Sequence, residues 1–211
     1  MKVAVHNIKG KETSKKVDLK KDIFGIAPND HAIYLDVKQY LANQRSGTAK
    51  SKERGEIKGS RKKLRKQKGS GMARVGDIKS PILRGGGRAF GPKPRDYSFK
   101  LNKKVKRLAR KSALTYKAKD NNIIVLEDFK LDSPKTKDYL NILNNLEQAD
   151  NKTLMILAEG DNNIVLSSNN LKNAKVVRAS DLCTYDIMNA NKLLVLESSV
   201  KVIEETLNKI S

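Results

Sequence analysis

The chain has 211 residues, 44 Lys and Arg against 23 Asp and Glu, a net charge of +21 and a hydrophobic fraction of 38%. A single cysteine, Cys183, excludes an internal disulfide framework and any zinc site needing several thiolates, and 6 Tyr and 4 Phe with no Trp argue against rows of rings stacked on bases. No aliphatic run approaches the roughly 18 residues of a membrane span, and the opening MKVAVHNIKGKETSKK has no apolar signal region, so a soluble cytoplasmic protein with no membrane partner is expected.

In chain order, Val3-Ala4-Val5 and Val17-Asp18-Leu19 read as short strands. From Asn29 or Asp30, Ile33, Val37, Tyr40 and Leu41 recur at helical spacing. Residues 44–95 then break the pattern. They hold ten of the 13 glycines, and only 11 of their 52 residues are apolar. Such a segment cannot bury enough apolar area to offset the entropy of ordering itself, which marks it as an extended arm rather than a domain. Beyond it, Asn102 is placed to cap a helix with Leu101, Val105, Leu108 and Ser112 on one face and Lys103, Lys104, Lys106, Arg107, Arg110 and Lys111 on the other.

The C-terminal part alternates strands and helices. Ile123–Leu126, Leu154–Ala158, Ala174–Val177 and Leu193–Leu196 are solid aliphatic runs. Between them, Ser133-Pro134 opens a helix with Tyr139, Leu140, Leu143 and Leu146, and Ser198 or Ser199 opens a last one through Val202, Ile203 and Leu207. Aliphatic strands separated by helices predict an α/β fold, a mostly parallel sheet flanked by helices on both faces. The predicted organisation is a globular α/β domain formed by residues 1–43 and 96–211, interrupted by a long basic extended loop over 44–95.

The charge is concentrated in that loop. Residues 44–95 carry +14 and residues 96–119 carry +8, while residues 120–211 carry −4. Basic side chains neutralise phosphates and release condensed counterions, so the partner this distribution selects is nucleic acid. RNA is favoured over DNA, because no helix-turn-helix, finger or basic zipper is visible and an extended arm suits the irregular grooves of folded RNA. The residues assigned to the nucleic acid on the outgoing side are Arg45, Lys50, Lys52, Arg54, Lys58, Arg61, Lys62, Lys63, Arg65, Lys66 and Lys68. On the returning side they are Arg74, Lys79, Arg84, Arg88, Lys93 and Arg95, with Lys103, Lys104 and Arg107 on the following helix.

Catalytic signals are weak. Gly69-Ser70-Gly71 and Gly85-Gly86-Gly87 neither follow a strand nor open a helix, so neither is a phosphate loop. His6 and His31 have no second ligand at metal spacing, and no metal or other cofactor is expected. Glu127-Asp128 follows a strand, and a turn or helix-capping role accounts for it. The arm's own acids, Glu53, Glu56 and Asp77, are dispersed among cations and form no nuclease cluster. Two rival readings, a general RNA chaperone or nucleoid-type polyanion binder and a nucleic-acid-processing enzyme, rest on charge alone.

The sequence resembles bacterial large-subunit ribosomal protein four, the L-four family. The resemblance is carried by Gln44-Arg45-x-Gly47-Thr48, by Gln67-Lys68-Gly69-Ser70-Gly71-x-Ala73-Arg74-x-Gly76, and by Ser80-Pro81 with Gly85-Gly86-Gly87. Asn102-Lys103-Lys104 and Pro134-Lys135-Thr136-Lys137 add to it. It implies a non-enzymatic structural constituent of the large ribosomal subunit that binds rRNA early in assembly. Its implied partners are large-subunit rRNA, neighbouring large-subunit ribosomal proteins and the nascent peptide. The implied loop tip, at the wall of the peptide exit tunnel, is Lys66, Gln67, Lys68, Gly69, Ser70 and Gly71. Leu64-Arg65 stands where the family usually carries proline and an aromatic residue, so an arginine must stack or pair with phosphate there.

Overall fold

The aliphatic runs become strands because each residue along them meets apolar cover on one face or the other. The structure, a computed structural model, describes residues 1–208. Its strands are β1 (Lys2–His6), β2 (Glu12–Asp18), β3 (Ile123–Leu126), β4 (Thr153–Leu157), β5 (Ala174–Arg178) and β6 (Lys192–Leu196). They form one sheet in the order β2-β1-β3-β6-β4-β5. Only β1 and β2 pair antiparallel; every other neighbouring pair is parallel. The helices are α1 (Lys21–Phe24), α2 (Asp30–Asn43), α3 (Lys103–Lys119), α4 (Thr136–Asn145), α5 (Asn162–Ser168), α6 (Thr184–Asn189) and α7 (Glu197–Asn208). The expected mostly parallel α/β sheet is what the chain forms.

The period-2 alternation of each strand sorts its side chains into two layers. Ile123, Val125, Leu154, Ile156, Leu193 and Val195 enter one layer, with Ile23 and Phe24 of α1, Ile33 of α2, Ala113 and Leu114 of α3, Ile187 of α6 and Val200 and Ile203 of α7. Leu126, Met155, Leu157, Leu194 and Leu196 enter the other, beneath Tyr139, Ile142 and Leu143 of α4 and Ile164 of α5.

Several elements differ from the sequence reading. On α3 the buried face is Ala109, Ser112, Ala113, Leu114, Thr115 and Ala118, while Leu108 is exposed. The helix buries small residues where it packs on α1 and α6, and the Thr115 hydroxyl donates to the Ile23 carbonyl at 3.2 Å. Asn102 stands at the N-cap of α3 but makes no side-chain cap. On α4 the first residue is Thr136 rather than Ser133, and Ile142 is buried while Leu140 is exposed. Helices α5 and α6 were not expected.

Two compact units divide the chain, one made of Met1–Leu41 with the residues from Lys100 on, the other of Ala42–Phe99. Residues 44–102 contain no helix or strand, only turns and bends.

Candidate nucleic-acid interface

Glycine and charge shape the unit Ala42–Phe99 in place of an apolar core. Its outgoing and returning runs lie side by side, tied by hydrogen bonds whose partners count upward on one side and downward on the other. Phe99 N–H donates to Asn43 Oδ1 at 3.2 Å. Arg95 N–H donates to the Gly47 carbonyl at 3.1 Å, Ser51 N–H to Pro92 at 3.0 Å, Arg88 N–H to Lys52 at 2.9 Å and Leu64 N–H to Gly76 at 3.0 Å. This is a hairpin without a β ladder.

Three of the unit's four carboxylates form ion pairs, and the fourth, Asp96, accepts from Ser98 N–H and the Ser98 hydroxyl. Glu53 pairs with Lys93 at 2.6 Å, Glu56 with Lys50 at 2.6 Å and Asp77 with Arg54 at 3.1 Å. The hydrogen bond from Lys50 holds the Glu56 carboxyl below its usual range, and the bond to Glu53 raises Lys93 above its own. Glu53 and Asp77 join the outgoing run to the returning one, Glu56 ties two points of the outgoing run, and the surrounding cations remain in excess.

Near the start of the hairpin, the Arg45 and Arg95 guanidinium carbons lie 3.9 and 4.6 Å from the centroid of the Tyr97 ring. Guanidinium planes stack readily on an aromatic face, which fixes their direction while their N–H edges stay available. The hydrogen bond from Arg95 and the positive charge of both arginines hold the Tyr97 phenol below its usual pKa. Gly47, at φ +61°, makes this cluster possible: a Cβ there would lie 2.0 Å from the Arg95 carbonyl oxygen and 3.1 Å from the Tyr97 ring.

Of the residues assigned to nucleic acid, Arg45, Lys50, Lys52, Arg54, Lys58, Arg61, Lys62, Lys63, Lys66 and Lys68 are exposed. So are Arg74, Arg84, Arg88, Lys93, Arg95, Lys103 and Lys104. Arg65 and Arg107 are half-buried. Lys79 differs from all of these: at 9% exposure its stem lies within 3.6 Å of where a Gly59 Cβ would stand. Four of the cations, Lys58, Lys62, Lys63 and Arg84, line a cavity of about 600 Å³ together with Ile57, Leu64 and Ile78. Beyond the Leu64–Gly76 bond, every residue from Lys66 to Gly71 is exposed, and Lys63 Nζ bonds the Gln67 side chain.

At the carboxyl ends of β3, β4 and β6, a separate crevice of about 770 Å³ is lined by Asp128, Asp132, Glu159 and Asp161 among others. Two of these acids hold helix starts. Asp128 Oδ1 accepts from Ser198 N–H at 3.2 Å and from the Ser198 hydroxyl at 2.7 Å, which caps α7, and Asp161 accepts from Asn163 N–H at 2.9 Å, which caps α5. The capping role expected for Glu127-Asp128 is met by Asp128.

This hairpin, with its motif residues in place, sits in a chain whose residues 17–206 match the family model described as ribosomal protein L4/L1 family. The chain belongs to the ribosomal protein L4/L1 family. Similar members include the large ribosomal subunit protein uL4 of Parabacteroides distasonis, 62% identical over 205 residues, covering 97% of this chain and 98% of that one. The uL4 of Phocaeicola vulgatus is 61% identical over 208 residues, covering 99% of this chain and 100% of its own. The uL4 of Flavobacterium johnsoniae is 56% identical over 209 residues, again 99% and 100%. In this L4/L1 member, charge pointed to the cations but not to what holds them. Asn43, Glu53, Asp77 and Tyr97 were missed as staples of the hairpin; the sequence signal for the last three was an acid or ring isolated among cations, and Asn43 gave none.

Proposed function

We propose that the chain is a structural constituent of the large ribosomal subunit, with no catalytic step, that binds large-subunit rRNA through residues 44–95 and supports early assembly in the cytoplasm. The observation that carries this reading is the likeness to proteins named large ribosomal subunit protein uL4 over nearly the whole of both chains, so that it includes the arm. The assigned cations give the arm its affinity, each phosphate contact releasing counterions. Neighbouring ribosomal proteins are the further partners, and the tip Lys66–Gly71 lies at the nascent peptide's path.

Sedimentation of the endogenous protein through a sucrose gradient at high salt tests the placement. Co-migration with the large subunit is the expected result; release to the top fractions would leave only loose polyanion binding. The tip is tested separately. Lys68→Glu removes one phosphate contact among many and is expected to change rRNA affinity by less than about tenfold. It should alter translation of peptides that stall in the tunnel, or the response to drugs that bind there. Unchanged translation and drug response would remove the tip from the tunnel wall.

A further inference from the structure

Phe90 is the only aromatic side chain of the arm that nothing in the structure explains. Its exposure is 107%, as complete as an isolated residue's, and its backbone stands at φ +51°. A bulky L residue enters that left-handed region at a cost of roughly 1–2 kcal/mol, and an exposed ring adds the cost of apolar surface left in water. Neither term is offset within the protein.

The neighbours of Phe90 fix it there. Arg88 N–H donates to the Lys52 carbonyl at 2.9 Å, and Ser51 N–H donates to the Pro92 carbonyl at 3.0 Å, so the backbone is tied down two residues before and two residues after the ring. Between them the returning run presses onto the outgoing one. A Cβ on Gly87 would lie 2.4 Å from Arg54 N, and one on Gly91 would lie 1.8 Å from Ser51 Oγ. With both flanks against Ser51–Arg54, the turn must bulge away from the outgoing run, and the residue at its crest is Phe90. Arg88 and Lys93, both exposed, stand on either side in sequence.

An outward ring between two cations, on a chain already committed to a polyanion, has one fitting occupant. We infer that Phe90 is a stacking platform for an unpaired base of the rRNA, with Arg88 taking the adjoining phosphate. This deepens the rRNA-binding reading above and rests on it. An unpaired base offers a flat apolar face to the ring and a phosphate to Arg88, and single-stranded loops of folded RNA present such bases. An apolar protein surface would cover the ring but would leave Arg88 without a partner, whereas Lys93 already has Glu53 at 2.6 Å. The strain is set when the arm folds, so the ring is ordered in advance and less freedom is lost on binding.

Three variants of the full chain, titrated against large-subunit rRNA transcribed in vitro at several salt concentrations, decide it. Asn adopts positive φ more readily than most residues, so Phe90→Asn keeps the turn and removes the ring. Its affinity should fall on the order of tenfold with the salt slope unchanged, because stacking displaces no counterions. Phe90→Tyr restores a ring and should bind like the parent. Arg88→Ala should instead reduce the salt slope by about 0.9, as loss of one phosphate contact does. Parental affinity for Phe90→Asn, or a loss in Phe90→Asn whose salt slope falls with it, would overturn the stacking assignment while leaving arm binding intact. Failure of the parent chain itself to bind the rRNA would instead sink the rRNA-binding reading. Acylation of rRNA 2′-hydroxyls, which reports nucleotide mobility, supplies a second readout: one nucleotide held unreactive by the parent and by Phe90→Tyr should become reactive in Phe90→Asn.

Discussion

Excision of residues 50–90, with Ala49 joined to Gly91, is expected to leave a protein that melts cooperatively but has lost at least about 10³-fold in rRNA affinity near physiological salt. The two halves of that expectation have separate causes. Every residue of both core layers comes from outside Ala42–Phe99, so the excision removes no side chain from either layer. The excision also spares the join. The Gly47–Arg95 hydrogen bond, outside the excised residues, holds the two runs side by side next to the cut, so a short connection closes it. The binding loss follows from charge, because the removed segment carries fourteen basic and three acidic residues. If ten or so of those cations meet phosphates, the dependence of log affinity on log salt flattens by several units. Far-UV circular dichroism and a thermal melt check the first half, and a salt titration of rRNA binding checks the second. A deletion without a cooperative melt would show that the α/β unit needs the arm to fold. A deletion that kept parental affinity would move the interface to the basic residues of α3.

The parts legible in the sequence were those whose signal is local. Leu193–Leu196 is buried on both faces and Ile123–Leu126 at every position but the half-buried Ile124, and such strands read as unbroken aliphatic runs. The charge of the arm needed only counting. What escaped was decided by tertiary packing. Helix α3 buries Ala109, Ala113 and Ala118, whose value lies in letting the helix approach α1 and α6 closely, and an apolar-periodicity reading weights larger residues such as Leu108 instead. Helices α5 and α6 are seven and six residues long, too short for any period to be counted. Strand β2 begins at Glu12 as the outermost strand of the sheet, where ETSKK is polar because that edge faces water. In the arm, Lys79 has the composition of a phosphate ligand and the burial of a packing residue, a distinction made only by the fold around Gly59. Phe90 was hidden by its own rarity: a shortage of rings argues against rows of them, but says nothing about one ring fixed at the crest of a turn.

Leu193→Ala and Leu194→Ala are expected to destabilise the chain by about 2–5 kcal/mol each, while Leu166→Ala stays within about 0.5 kcal/mol. All three remove the same atoms. Leu193 and Leu194 are both 0% exposed at the centre of the sheet, with β3 on one side of β6 and β4 on the other, whereas Leu166 faces solvent on α5. The difference is therefore the cavity left behind and the apolar area returned to water, terms that exist only where neighbours surround the site. Consecutive residues on a strand also point to opposite faces, so the two leucines test more than burial. Leu193 belongs to the layer that holds Val5, Leu114 and Val200, and Leu194 to the one that holds Tyr139, Met155 and Ile164, layers that the sheet separates. Milder truncations to Val, at about 0.8 kcal/mol per methylene, keep the double variant folded and allow the cycle to be closed. The two changes should add to within about 0.5 kcal/mol in urea unfolding, despite being adjacent in the chain, because they share no partners. Strong coupling between them would mean that the backbone of β6 shifts as a unit and carries strain from one layer to the other, and the sheet would then behave as one core rather than as a partition between two.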